Sequence, residues 1–116
     1  MAEEHAALRF TRRYPASLDE VWRALTEPES LSHWLGPPDD VDARMRTIEP
    51  GRVLEIDWTR RGESDSLVRF ELASDGAGTV LLVDHSRLDA RVCMRYFGFW
   101  TPRLDRFGEA VGGERR

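Results

Sequence analysis

Two short helical patterns follow each other in residues 14–37, YPASLDEVWRALTEPESLSHWLGP. In the first, Ser17 and Glu20 form the Ser-x-x-Glu pattern of a capping box, and apolar residues recur at helical spacing up to Leu25. In the second, Pro28 suits the first position of a helix, and a Gly-Pro-Pro sequence prevents its continuation. The chain must therefore accommodate two successive short helices near its N-terminus.

Strand patterns lie on both sides of these helices. Apolar and polar residues alternate in residues 7–14, before the helices. Four more strands, separated by short turns, are predicted over residues 41–49, 52–59, 66–73 and 79–85. The middle strands alternate, so one face of the sheet is apolar. In the last strand Val80 and Leu82 lie opposite Leu81 and Val83, and we expect something to cover that outer face.

A final helix is predicted over residues 90–111. Its apolar stripe, at spacings of three and four, consists of Phe97, Trp100, Leu104, Phe107 and Val111. Pro102 lies within the pattern and removes a backbone hydrogen-bond donor. Either it bends a helix that begins near Ala90, or the helix begins near Gly98 and Pro102 lies in its first turn.

Length and composition restrict the class of protein. A chain of 116 residues predicts one domain, residues 1–116. No stretch approaches the roughly 20 apolar residues of a membrane span, and the acidic first residues do not resemble a secretory signal, so we expect a cytoplasmic protein. Cys93 is the only cysteine, which excludes an intrachain disulfide. A net charge of -4 without a basic run argues against nucleic acid as a partner.

Several short matches, in the same order along the chain, resemble one known family. The early matches are Pro15-Ala16, Val21-Trp22, Ala24-Leu25-Thr26, Pro28-Glu29 and Trp34; the later ones are residues 68–72, Gly78-Thr79, His85-Ser86, Leu88, Trp100 and Leu104-Asp105. This pattern resembles the activator of heat-shock protein 90 ATPase homologue-like family of the START/SRPBCC superfamily.

The resemblance implies an α+β helix-grip fold. In that fold a curved antiparallel sheet, here of about five strands, packs on a long C-terminal helix, and two short helices follow the first strand. It also implies an apolar cavity between the sheet and the long helix that holds a small hydrophobic molecule. It supplies no catalytic residues.

The sequence departs from this family in two ways. About one hairpin is missing between the second short helix and the strand over residues 41–49. Phe99 stands where the family has a glycine before Trp100, and Gly98 comes one position early. Both changes should shrink or reshape the cavity. We therefore expect any ligand to be small and flat, or to be enclosed jointly by two subunits.

The candidate ligand-pocket residues are Arg12, Trp34, Leu54, Ile56, Trp58, Phe70, Leu72, Val83, His85, Phe97, Trp100 and Leu104. Buried aromatic residues are more often plain core than a ligand cage, so both interpretations stay open. His85 could protonate or orient a bound carbonyl, or be a satisfied core histidine. Arg12 could bind a ligand carboxylate, or reach solvent at the end of its strand.

No metal site or cofactor is predicted. The acidic run in residues 38–42 could hold a hard cation, but it lacks the glycine and the distal glutamate of a calcium loop, so a solvated loop is the preferred interpretation. The three histidines show no i, i+4 pairing for zinc. Phosphate loops, nucleophile elbows and dinucleotide motifs are absent from the sequence.

Three functions are compatible with these observations. The first is binding of a small apolar molecule. The second is a polyketide-type cyclase or dehydratase that uses Arg12 or His85 as a polar group, and the third is a co-chaperone-like interaction module. We also expect a homodimer, formed through either the unpaired edge of the strand over residues 41–49 or the patch of Val80 and Leu82.

Overall fold

The computed structural model describes residues 5–36 and 40–112. Its elements, in chain order, are β1 His5–Tyr14, α1 Leu18–Thr26, α2 Pro28–Trp34, β2 Val41–Glu49, β3 Val53–Arg60, β4 Ser66–Asp75, β5 Gly78–Asp89, a 3-10 turn Ala90–Val92 and α3 Cys93–Gly112. This order confirms the predicted α+β helix-grip architecture. No helix in the described part of the chain is long and apolar enough to span a membrane.

The five strands form one antiparallel sheet in the order β1-β5-β4-β3-β2. In its centre Phe70 of β4 lies opposite both Leu54 of β3 and Val83 of β5, so apolar side chains stand in a row across the inner face. This row is fully buried beneath α3. At one side of the sheet, β2 pairs with β3 and has no second neighbour in the described chain.

The first helix begins as predicted. The Ser17 side chain accepts a hydrogen bond from the Glu20 backbone N–H at 3.2 Å, and the Glu20 carboxylate accepts one from the Ser17 N–H at 3.0 Å. This capping box satisfies two N–H groups that the helix leaves unpaired. Pro28 lies at the start of α2, and Gly36, just beyond its end, has a φ of 46°, which glycine adopts at little cost. The two prolines that were expected to stop the helix, Pro37 and Pro38, lie outside the described residues.

The long helix α3 begins at Cys93 and continues through Pro102, so the proline lies inside the helix rather than in its first turn. The missing N–H of Pro102 leaves the carbonyl four residues before it without its helical donor. On either side of that position, the Thr101 hydroxyl donates to the Phe97 carbonyl at 2.8 Å, and the Arg103 guanidinium donates to the Phe99 carbonyl at 3.0 Å. Side-chain donors therefore add hydrogen bonds to the backbone carbonyls next to the one that the proline leaves without a donor.

The predicted apolar stripe of α3 is wrong at its first member. Phe97 is 49% exposed, whereas Tyr96 is fully buried in line with Trp100 and Leu104. Residues 96, 100 and 104 are each four apart and form one stripe on the helix, and residue 97 lies at the edge of that stripe, about 60° from residue 100. Phe97 instead stacks on Phe10 of β1, with the ring centroids 5.8 Å apart.

The fifth strand is also longer than predicted, because it runs to Asp89 rather than ending at His85. The polar residues Ser86 and Arg87 interrupt the apolar pattern, yet the buried Leu88 continues the strand beyond them. Arg87 has a φ of 61°, so the backbone is irregular at this point. The longer strand places the start of α3 beside the β3–β4 turn.

Candidate functional site

Three of the predicted aromatic pocket residues, Trp58, Phe70 and Trp100, meet where α3 packs on the sheet, whereas the predicted Phe97 lies outside this cluster. The centroid of Trp100 lies 6.0 Å from that of Trp58 and 6.0 Å from that of Phe70, and Phe99 lies 5.6 Å from Trp58. Trp58, Phe70 and Trp100 are at most 1% exposed. Aromatic side chains therefore fill the place where these residues converge.

The remaining apolar candidates also belong to the core. Trp34 of α2 is fully buried, and its indole N–H donates to the Ala24 carbonyl at 3.1 Å. Its ring makes edge contacts with Phe70 and with Phe107. The others are Leu54, Leu72, Val83 and Leu104, which are at most 4% exposed.

His85 is held as a neutral, fully buried ring. Its Nδ1 accepts a hydrogen bond from the Trp100 indole N–H at 3.0 Å, so the proton of the neutral ring lies on Nε2, which is 2.8 Å from the Ser66 hydroxyl. Burial lowers the pKa of His85 from 6.5 to about 3. Both ring nitrogens are occupied by protein groups, and the ring stays uncharged at neutral pH. This arrangement suits a structural histidine better than a general acid.

Arg12 lies on β1, which pairs with the strand of His85, but it is four residues along from Leu8, the residue opposite His85. Its guanidinium is 5.5 Å from the centroid of the Phe10 ring and donates to the Thr11 carbonyl at 3.1 Å. Arg12 and His85 are thus both on the inner face, but each is engaged by its own neighbours. The structure does not bring them together as a pair of polar groups.

Sequence reasoning missed a polar chain that connects the aromatic core to the surface. The Tyr96 hydroxyl accepts from the Trp58 indole N–H at 2.9 Å and donates to the Glu63 carboxylate at 2.7 Å. Arg95 donates to the other carboxylate oxygen at 3.1 Å. Burial, reinforced by the hydrogen bond to Glu63, raises the pKa of Tyr96. The chain ties α3 to the β3–β4 turn, and no short sequence motif could have indicated it.

An open apolar cleft lies between α2 and the edge strand β2, and we call it the α2–β2 cleft. It has a volume of about 280 Å³ and is lined by Pro28, Leu31, Ser32, Leu35, Ala43, Met45 and Ile56. Of the twelve predicted pocket residues, Ile56 is in this lining. Met45, which lies opposite Ile56 in the sheet, is 48% exposed. The cleft is therefore an accessible apolar surface beside the filled core.

Local sequence explains how the walls of the α2–β2 cleft form. Leu31 and Leu35 are four residues apart, so both side chains stand on one side of α2 and its C-cap. Ala43 and Met45 are two residues apart on β2 and share the inner face of the sheet. Ser32 is the single polar residue among the described residues that line the cleft. The lining is therefore apolar with one hydroxyl.

Two arginines of α3 hold the wall formed by α2. Arg103 donates from Nε to the Leu35 carbonyl at 2.6 Å, and Arg106 donates to the Trp34 carbonyl at 3.3 Å. Cations at the C-terminal end of a helix satisfy its free carbonyls and favour its dipole. The Arg103 guanidinium also stacks 3.7 Å from the Phe99 centroid. Phe99 is thus packed between Arg103 and Trp58.

The outer face of the sheet carries charged grooves rather than a metal site. In one groove Arg9 pairs with Asp84 at 2.9 Å and Arg69 pairs with Glu55 at 2.8 Å. Within the described residues, no group of three or more His, Cys, Asp or Glu side chains could hold a metal ion. The acidic run in residues 38–42 lies partly outside the described residues. Its Asp40 is paired with Arg60 at 3.0 Å.

Solved structures share this arrangement. CalU16 from Micromonospora echinospora has a TM-score of 0.85 at 26% sequence identity, over 97% of this chain and 76% of CalU16. DynU16, a protein in the dynemicin biosynthetic locus, has a TM-score of 0.77 at 23% identity, over 89% of this chain and 46% of DynU16. These are SRPBCC-type folds. The chain has the helix-grip fold.

A third solved structure is similar in fold but much less similar in sequence. The Aha1 dimer from Colwellia psychrerythraea has a TM-score of 0.77 over 96% of this chain and 99% of the other, but the sequences are only 12% identical. No protein-family model matches the chain, and no curated protein matches it. Similarity to this third structure therefore concerns the fold alone.

Proposed function

We propose that the chain is one domain that binds a small apolar molecule in the α2–β2 cleft. The observation that carries the proposal is an open cleft with apolar walls, next to an interior that aromatic rings already fill. A volume of about 280 Å³ lies just below the roughly 300 to 1,000 Å³ of typical ligand pockets. We therefore expect a small ligand, such as a flat ring system.

Affinity in this cleft comes from apolar contact. Leu31, Met45 and Ile56 provide the surface that a ligand removes from water, and Ser32 provides one hydroxyl that can donate or accept a hydrogen bond. Binding of such a molecule is compatible with the place of DynU16 in a biosynthetic locus. The class of ligand follows from the apolar lining of the cleft.

The first experiment places a charge in the cleft. Leu31→Arg introduces an unpaired cation into an apolar lining from α2, and we expect at least a tenfold loss of affinity, about 1.4 kcal/mol. Met94→Arg is the matched control, because Met94 is 77% exposed on α3 and does not line the cleft. Binding of a panel of flat aromatic and polyketide-like compounds is measured by tryptophan fluorescence and by thermal stabilisation.

The outcome distinguishes this site from others. A ligand that binds the parent and the Leu31→Arg variant equally does not lie in the α2–β2 cleft. A panel that produces neither quenching nor stabilisation in the parent contradicts small-molecule binding itself. Native mass spectrometry of protein purified from its own host identifies a retained ligand directly.

The second candidate function is a protein-interaction module. The observation that favours it is the filled aromatic interior together with the apolar residues Met45 and Ile48, which are about half exposed on β2. A cyclase or dehydratase is less well supported, because His85 and Arg12 are engaged by their own neighbours and do not converge on the cleft.

We also propose that the chain acts as a homodimer, because its edge strand is unpaired in the described structure.

A further inference from the structure

The strand β2 is the most exposed element of the sheet. It pairs with β3 on one side only, and most of its residues are exposed on both faces. Met45 and Ile48 are among the four large apolar residues that the described structure leaves exposed. An unpaired edge of this kind presents free N–H and C=O groups to another strand.

The first five residues of β2 match a second copy of themselves. Val41, Asp42, Ala43, Arg44 and Met45 have opposite charges on either side of a central alanine and an apolar residue at each end. In an antiparallel pair with its twofold axis at Ala43, Asp42 lies opposite the partner subunit's Arg44, and the reverse pair occurs once more. Val41 lies opposite the partner subunit's Met45 on the inner face. Charge and apolar character are therefore complementary at every position.

The irregularity of β2 lies beyond this segment. The register with β3 shifts between Met45 and Thr47, so Arg46 is an extra residue in the strand. A bulge increases the local twist and interrupts regular pairing. The regular part available to a partner is thus residues 41–45, which is the self-complementary segment.

The other surface that the sequence indicated is less suitable. Val80 and Leu82 are half-buried, and Leu82 lies in a groove with Arg9, Arg69 and Asp84. Charged side chains with long apolar stems thus already cover much of that patch. The outer face of β5 is therefore already covered by side chains of the described chain itself.

We propose that two copies of this chain pair through residues 41–45 of β2, antiparallel about an axis at Ala43, into one continuous sheet. The inner faces of both sheets then lie on the same side, and the partner subunit's Met45 stands beside Val41 at the border of the α2–β2 cleft. The two clefts join across the axis into one apolar trough. This last consequence rests on the proposed ligand binding, whereas the pairing itself does not.

The dimer is weak in the absence of ligand. Five paired residues on each side bury less surface than the roughly 1,200 to 2,000 Å² of stable interfaces. We therefore expect a reversible dimer that sedimentation detects at high micromolar concentration. A ligand that contacts both subunits within the trough would stabilise the dimer, because it binds the dimer and not the monomer in this way.

Charge exchange tests the register without any ligand. Asp42→Arg and Arg44→Asp each place like charges opposite one another at both contacts, so we expect each to weaken dimerisation by about tenfold or more. A mixture of these two variants restores both opposite-charge contacts and should form a heterodimer, and the double variant should recover the homodimer. Leu82→Arg is the control and should leave the dimer unchanged.

Cross-linking tests the position of the axis. Residues directly opposite in an antiparallel pair have Cα atoms about 4.5 to 5.5 Å apart, within the range of a disulfide. In a Cys93→Ser background, Ala43→Cys should therefore form an intersubunit disulfide much faster than Ile48→Cys, which is on the same strand but away from the axis.

The proposal is overturned if the parent is monomeric at high micromolar concentration, or if the mixed single variants do not associate. It is also overturned if Leu82→Arg abolishes the dimer, which would assign the interface to β5. Equal cross-linking of Ala43→Cys and Ile48→Cys contradicts the register. Because these experiments use no ligand, their failure is distinct from failure of the Leu31→Arg test.

Discussion

Acid should destabilise this fold through His85. The ring is fully buried, its Nδ1 accepts from Trp100, and burial lowers its pKa from 6.5 to about 3. The unfolded chain takes up a proton on this residue below pH 6.5, and the folded chain resists it until about pH 3. The contribution to stability is therefore fully present above pH 6.5 and is lost as the pH falls towards 3.

The magnitude follows from that difference in pKa. Each pH unit between the two values changes the free energy of unfolding by at most about 1.36 kcal/mol. At about pH 4.5, two units below the unfolded value, the loss from His85 is about 2 to 3 kcal/mol. This is a large share of the roughly 5 to 15 kcal/mol that stabilises a typical domain.

Urea titration of the parent and of His85→Gln measures this effect. Glutamine removes the titratable ring but keeps an amide that can hydrogen-bond, and His5 and His33 are present in both proteins, so their contributions cancel. The parent should lose about 2 to 3 kcal/mol more than the variant between about pH 7.5 and about pH 4.5. If the two proteins lose the same stability over this interval, the buried neutral histidine is not the cause.

The remaining predictions concern the aromatic core. Trp100→Ala should lower the free energy of unfolding by about 3 to 5 kcal/mol, because it removes a fully buried indole, and a loss below about 1 kcal/mol in urea titration would contradict this packing. Phe99→Gly removes the ring between Arg103 and Trp58, which opens space in the filled interior beside the α2–β2 cleft, and should widen the range of compounds that quench tryptophan fluorescence. An unchanged panel in a variant that retains the parental circular dichroism spectrum would show that Phe99 does not limit ligand size.

Part of this structure could be predicted from local patterns. The capping box at Ser17 and the proline at the start of α2 identify two helices because their signals depend on residues within one turn. The strand over residues 41–49 was predicted with the observed bounds. Alternation alone placed His85 on the buried face. Each of these signals is contained in a short segment.

The candidate site could be predicted only in part. Ile56 alone of the predicted pocket residues lines the α2–β2 cleft, because apolar alternation identifies a buried face but does not say whether neighbouring rings leave space there. The cleft lies where β2 has no second neighbour and where two arginines of α3 bind the C-terminal carbonyls of α2. Neither condition can be read from the residues of β2 or α2.

Sequence by itself determined the order of helices and strands, their approximate bounds and the apolar face of the sheet, because backbone hydrogen bonding and side-chain periodicity are local properties. Tertiary structure decided which residue begins the buried stripe of α3. Tyr96 rather than Phe97 points inward because its hydroxyl satisfies the indole N–H of Trp58, 38 residues earlier in the chain. A buried donor must find a partner, and which partner is within reach depends on how α3 packs against the sheet.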